Sequence, residues 1–255
     1  MNSLQQFIQE ERQSKPLILM THVVYGYPSI SESLEIMKVM LDGGVELLEV
    51  QFPFSDPVAD GPVITTACHH ALRHEPDLQQ CILDIAALAE GYPNSRMLLM
   101  SYLNPLLQFG FEKLAIALKP TISGMIIPDL PIDHAVMLAP VKQQGIAPIW
   151  LTTPDMSQER IASVAEHGCG MLYCVSRSGV TGQSDSKIQG LSEYLKRVRR
   201  CTELPLGVGF GINSASDVAA LKGHADIAIV GSAFLNAYNE AGLVGVTSKL
   251  VELRN

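Results

Sequence analysis

The chain has 255 residues, 47% of them hydrophobic and 17% charged, a composition that supports a large buried core and excludes disorder. Its 18 Lys and Arg side chains stand against 26 Asp and Glu, giving a net charge of −8 that repels a phosphate backbone and argues against nucleic-acid binding. A small anionic ligand stays open, because a local ring of backbone N–H groups holds a phosphate whatever the global charge.

No apolar run reaches about 18 residues, so no membrane-spanning helix is expected. The start, MNSLQQFIQEERQSK, has no apolar segment behind a basic end and does not read as a secretory signal. Cys68, Cys81, Cys169, Cys174 and Cys201 are odd in number and irregularly spaced, which predicts reduced thiols in a cytoplasmic protein.

Past an N-terminal helix, the apolar segment Pro16–Val24 reads as a strand that stops at Gly26-Tyr27-Pro28. Ser29 opens a helix with Glu32 three residues on, a capping box, and Gly43-Gly44 closes it. The next strand is Leu47–Phe52, followed by Met97–Tyr102, Gly124–Pro128, Ala147–Thr152, Met171–Ser176, Pro205–Gly209 and Ile227–Val230. Helical patterns lie near Pro62–Arg73, Leu78–Ala89, Phe111–Leu118, Ile132–Gln144, Gln158–His167, Leu191–Arg200, Ser214–Leu221 and Leu243–Leu253. Unbroken apolar strands such as Ile227–Val230 suit a sheet covered on both faces. Eight strand–helix units in about 250 residues predict an α/β fold, a (β/α)8 barrel with an extra N-terminal helix; an open doubly wound sheet is the alternative. No linker divides the chain, so residues 1–255 read as a single domain.

In a barrel, chemistry sits at the carboxyl ends of the strands. The second strand ends Leu47-Leu48-Glu49-Val50-Gln51-Phe52, and alternation puts Glu49 on one face with Leu47 and Gln51. If that face points inward, apolar walls raise the carboxyl pKa toward neutrality, as a proton shuttle requires. Asp60 follows on a proline-stiffened loop. Read alone, Glu49 serves equally as a local cap or ion-pair partner, and Asp56 and Asp60 as loop acids. After the seventh strand comes Gly207-Val208-Gly209-Phe210-Gly211, and after the eighth Gly231-Ser232, the places where this fold usually holds phosphate. The loop Ser176–Ser186 is long and small-residued, as a closing loop or an ordinary surface loop would be. His69, His70 and His74 read better as a solvated helix face than as metal ligands.

The stretch Leu48–Pro62 (LEVQFPFSDPVADGP) closely resembles the signature of the tryptophan synthase α-subunit family. Ser176–Gly182 (SRSGVTG), Gly209–Ile212 (GFGI) and Gly231-Ser232 resemble the same family in the same order. The resemblance implies retro-aldol cleavage of indole-3-glycerol phosphate to indole and glyceraldehyde 3-phosphate, with no metal or organic cofactor. It implies that Glu49 is the acid–base carboxylate and that Asp60 takes the indole N–H. It assigns the phosphate to Gly182, Gly211, Gly231 and Ser232. Thr181 falls on the mobile loop, while Tyr102, Tyr173, Phe210 and Met100 match walls of the indole pocket. The implied partner is a β subunit carrying pyridoxal phosphate, in an α2β2 assembly, with Asp56 and Asn104-Pro105 on the docking side.

Three residues depart from the family pattern. Gln51 replaces a glycine and is expected either to fill part of the pocket or to hydrogen-bond the acid. His22 replaces an apolar pocket residue. Tyr27 replaces an acid, and all three are expected near the indole end. They keep a second reading alive, a homologue that regulates a β subunit without turning over substrate; retention of Glu49 and Asp60 argues against it. A third, another phosphate-handling barrel such as an epimerase, lacks its usual metal or lysine constellation.

Overall fold

A computed structural model describes residues 2–118, 121–175, 185–209 and 211–254. Eight parallel strands close into a barrel in chain order: β1 (Ile18–Val24), β2 (Leu47–Gln51), β3 (Arg96–Met100), β4 (Ile122–Ile126), β5 (Ala147–Thr152), β6 (Leu172–Val175), β7 (Leu206–Gly209) and β8 (Ile227–Val230). Helical segments follow each strand and cover the outside. The (β/α)8 barrel expected from the strand count is therefore formed, and the open sheet is excluded by the β1–β8 pairing.

Strand alternation separates two apolar layers. Side chains such as Leu48, Val50, Leu99 and Trp150 point outward into the layer beneath the helices. Leu47, Leu98, Met100, Ile126, Ile149, Ile227 and Ile229 point inward and fill the barrel. The floor is closed by the N-terminal helix Ser3–Ser14, which inserts Leu4, Phe7 and Ile8 into the interior layer. Gly124 and Gly170 make room for it: a Cβ on either would come within 3.0 Å of Leu4 Cδ2. The same end is tied by charge. Asp226 accepts from Arg12 (3.2 Å), Arg199 (2.7 Å) and the Leu206 N–H (2.8 Å), and buried Glu46 accepts from Lys15 (2.9 Å) and the Leu19 N–H (3.0 Å). With one end plugged and clamped, the opposite, carboxyl-terminal end is where a ligand can enter.

The structure departs from the expected elements in four places, one being the helix expected at Leu191–Arg200, which runs Asp185–Arg199. The stretch Leu103–Phe109 is helical, and the expected helix Ile132–Gln144 is a 3-10 segment (Ile132–Leu138) followed by Ala139–Gln143, broken where His134 leaves helical geometry. The last helix begins at Ser232, not Leu243, and kinks at Ala241 and Gly242, the latter at φ +59. That glycine split the apolar periodicity and hid the first half of the helix.

Candidate active site

The inward face of β2 carries Leu47, Glu49 and Gln51 in succession, so the face expected from alternation does point into the barrel. Glu49 reaches the floor of a cavity at the carboxyl-terminal end. Asp60, Gly61 and Pro62 form one rim, and Gly211, Gly231 and Ser232 form the other. The walls between are apolar: Met100, Ile126, Leu151, Ile64 and Ile229, with Tyr173. Glu49, Asp60, His22, Met100, Tyr173, Gly211, Gly231 and Ser232 are thus brought together. Thr181, Gly182 and Phe210, with the rest of the loop 176–184, lie outside the described residues.

Ile126, Leu151 and Ile229 were not singled out in the sequence. Each lies two residues past an inward neighbour (Gly124, Ile149 and Ile227), so strand phase was the signal that could have found them.

Glu49 is 3% exposed, and its carboxyl has no hydrogen-bond partner among the described residues. Burial, and then the neighbouring charge of Asp60, push its pKa up to about 8. The group therefore holds its proton at neutral pH and exchanges it readily just above. The same two carboxyls, after burial, raise the phenol of Tyr173 well above its ordinary value, which places all three around one space.

Asp60 is held from behind. Its Oδ2 accepts from the Gln51 amide at 2.7 Å and from the Tyr102 hydroxyl at 2.9 Å. Tyr102 in turn accepts the Ala59 N–H at 3.0 Å and stacks on Phe54 at 5.5 Å. Tyr102 is fully buried beneath the loop and does not line the cavity. Gln51 is also fully buried. It does not fill the pocket, and the acid it bonds is Asp60 rather than Glu49. From the last position of β2 its amide reaches Asp60 on the loop that follows.

The glycine run divides by role. Gly207 and Gly209 face inward on β7, where a Cβ would lie 2.3 Å from Met171 Cε and 2.5 Å from the Tyr173 hydroxyl; they make space for those side chains. Gly211, at φ +84, and Gly231 lie on the rim. Ser232 starts the last helix, whose unpaired first N–H groups and positive end face the rim, a setting that attracts an anion.

The third departure, Tyr27, does not line the cavity. It lies past the end of β1, packs edge-on against His70 (5.4 Å) and donates to Asn239 at 2.8 Å. The histidines pin loops: His69 bonds the Ser55 carbonyl (2.9 Å) and His74 the Pro28 carbonyl (2.7 Å). Among the described residues no group of three or more His, Cys, Asp or Glu is arranged to hold a metal ion. The five thiols are unpaired, and no helix of the described residues is long and apolar enough to cross a membrane.

The family model "Tryptophan synthase alpha chain" matches residues 7–251. The chain belongs to the tryptophan synthase alpha chain family. It takes the alpha-subunit role of that lyase, in tryptophan biosynthesis. The alpha chain of Syntrophotalea carbinolica is 38% identical over 98% of this chain and 100% of its own length, and that of Desulforapulum autotrophicum 39% over 95% and 96%. Among solved alpha-chain structures, Mycobacterium tuberculosis tryptophan synthase superposes with a TM-score of 0.91 at 32% identity, covering 99% of this chain and 96% of that one. The alpha subunit of Legionella pneumophila gives 0.90 at 27%, covering 100% and 97%.

Proposed function

We propose that this barrel domain cleaves indole-3-glycerol phosphate with Glu49 and Asp60 as its catalytic residues. The observation that carries the assignment is the pairing of a buried Glu49, its pKa raised by burial and by Asp60, with an anchored Asp60 across one apolar cavity whose far rim is a glycine-lined helix start.

Glu49 gives its proton to C3 of the indole ring. The ring nitrogen becomes cationic, and Asp60 stabilises it through the N–H hydrogen bond. The bond from C3 to the side-chain carbon then breaks, and its electron pair returns to the ring as neutral indole. The carbinol hydroxyl on that carbon becomes an aldehyde and passes its proton to Glu49, which ends as it began. The protons balance without a further reactant. Gly182, Gly211, Gly231 and Ser232 are assigned the phosphate end and Thr181 the loop that closes toward Asp60; Met100, Tyr173 and Phe210 are assigned the indole.

Membership of the tryptophan synthase alpha chain family supports a β subunit as partner, and the family resemblance extends this to a subunit carrying pyridoxal phosphate, an α2β2 assembly and a cytoplasmic setting. Asp56, Val58 and Asn104 are exposed on the segments after β2 and β3, beside the cavity mouth, and suit such docking.

Steady-state cleavage of indole-3-glycerol phosphate, with and without a β subunit, tests the reading. The unaltered chain should turn over; Glu49→Gln should lose at least about 100-fold in kcat while keeping its fold, and Asp60→Asn should lose a comparable factor. Near-normal kcat in Glu49→Gln removes it from the mechanism. A chain that binds a β subunit yet never cleaves would be the regulatory homologue instead.

A further inference from the structure

Two departures from the family pattern are one hydrogen-bonded unit. His22 Nε2 lies 2.6 Å from Gln51 Oε1, and Gln51 Nε2 donates at 2.7 Å to Asp60 Oδ2. The chemistry of this chain settles the histidine tautomer. A carboxylate only accepts, so the NH2 end of Gln51 faces Asp60; the second N–H of that amide meets Cys68 Sγ at 3.4 Å. The amide oxygen therefore faces His22, and His22 donates through Nε2–H. In a neutral imidazole the other nitrogen, Nδ1, is then a bare acceptor.

That acceptor is buried and has no partner among the described residues. His22 is 5% exposed, and its ring lines the cavity. It pairs in register with Glu49 across β1 and β2. On the other side, Nδ1 lies 3.5 Å from the Cβ position of Gly231. The ring thus sits between the acid–base carboxyl and the rim proposed to hold phosphate. Burial lowers its pKa, against the opposing pull of Asp60 and the Gln51 hydrogen bond, and so favours the neutral form.

A buried acceptor without a donor is costly, and a ligand that brings a donor repairs it. This step rests on the proposed substrate. Of its polar groups, the ring N–H goes to Asp60 and the carbinol hydroxyl to Glu49. The phosphate brings negative charge, which a lone pair repels. One donor remains, the hydroxyl on the middle carbon of the three-carbon chain, between the carbinol and the phosphoester. We infer that His22 Nδ1 accepts a hydrogen bond from this middle hydroxyl and makes the site selective for the hydroxylated chain. An apolar residue at this position has no means of doing so.

The test compares ligands with and without the chain hydroxyls. In His22→Phe, and in His22→Leu as a second apolar variant, KM for indole-3-glycerol phosphate should rise about tenfold, while Ki for 3-indolepropanol phosphate stays level or falls. Equal shifts for both ligands, or no shift for either, would overturn the inference. A second measurement uses the unaltered chain with 15N-labelled histidine. Glycerol 3-phosphate should move the Nδ1 resonance of His22 upfield, and 1-propyl phosphate should leave it in place. An Nδ1 resonance indifferent to that distinction overturns the inference even if cleavage is observed. A selective response without cleavage would keep it and reject the catalytic reading.

Discussion

Glu49 is the residue most altered by its surroundings. Its raised pKa predicts a pH dependence with a definite sign. The shuttle starts from the protonated acid, so kcat/KM of the free enzyme should be level below about pH 8 and fall about tenfold per unit above it. A pH profile that rises through that region would assign the starting role to the carboxylate. Gln51 makes a second prediction at this scale. Because its amide holds Asp60 rather than crowding the ring, Gln51→Gly should lower kcat by about tenfold, through one lost hydrogen bond to a charged group. A gain in rate would mean that the amide obstructs the ring after all. The face Glu49 shares with Leu47 and Gln51 was legible in the strand, because alternation needs only local geometry; that this face is the inward one was decided by the barrel, since β2 is buried on both sides. The partner of Gln51 was not, since the path of the loop bearing Asp60 over β2 has no periodic signal.

At the scale of elements, the N-terminal helix is a plug. Leu4 is fully buried in the barrel interior against the backbone of Gly124 and Gly170. Leu4→Ala would leave a cavity that the rigid glycine floor cannot close, and should cost about 2–5 kcal/mol of stability in urea unfolding. A cost near zero would show that the helix is dispensable to the barrel. β7 is the complementary case, where Gly207 and Gly209 yield their volume to Met171 and Tyr173. The glycine run was visible in the sequence, but a glycine that admits a neighbour and one that approaches a ligand are written with the same letter. Only the inward neighbours separate Gly207 and Gly209 from Gly211. Helix boundaries were legible where capping was local, as at Ser29 and Ser214, and failed at Gly242, where one positive-φ residue interrupts a continuing helix.

For the whole molecule, the proton on Glu49 links catalysis to stability. The folded pKa of about 8 lies above the ordinary 4.5, so the native state binds this proton more tightly than the unfolded chain. Its contribution is complete below about pH 4.5, declines as pH rises, and is lost above about 8. Gln does not titrate. The melting temperature of Glu49→Gln relative to the unaltered chain should therefore climb by several degrees between pH 5 and pH 9. A difference independent of pH would mean that Glu49 is not buried as a neutral acid. The plugged end bears the ion pairs of Asp226 and Glu46, and the open end bears the acids and the glycine rim, so stability and chemistry occupy opposite faces. By itself the sequence determined the strand count, the face shared by Leu47, Glu49 and Gln51 and the family signature, because each depends on neighbours within a few residues. The tertiary structure alone decided that His22, Gln51, Asp60 and Tyr102 form one hydrogen-bonded line and that Tyr27 stands apart from it. Those contacts join segments that only barrel closure brings within hydrogen-bonding distance.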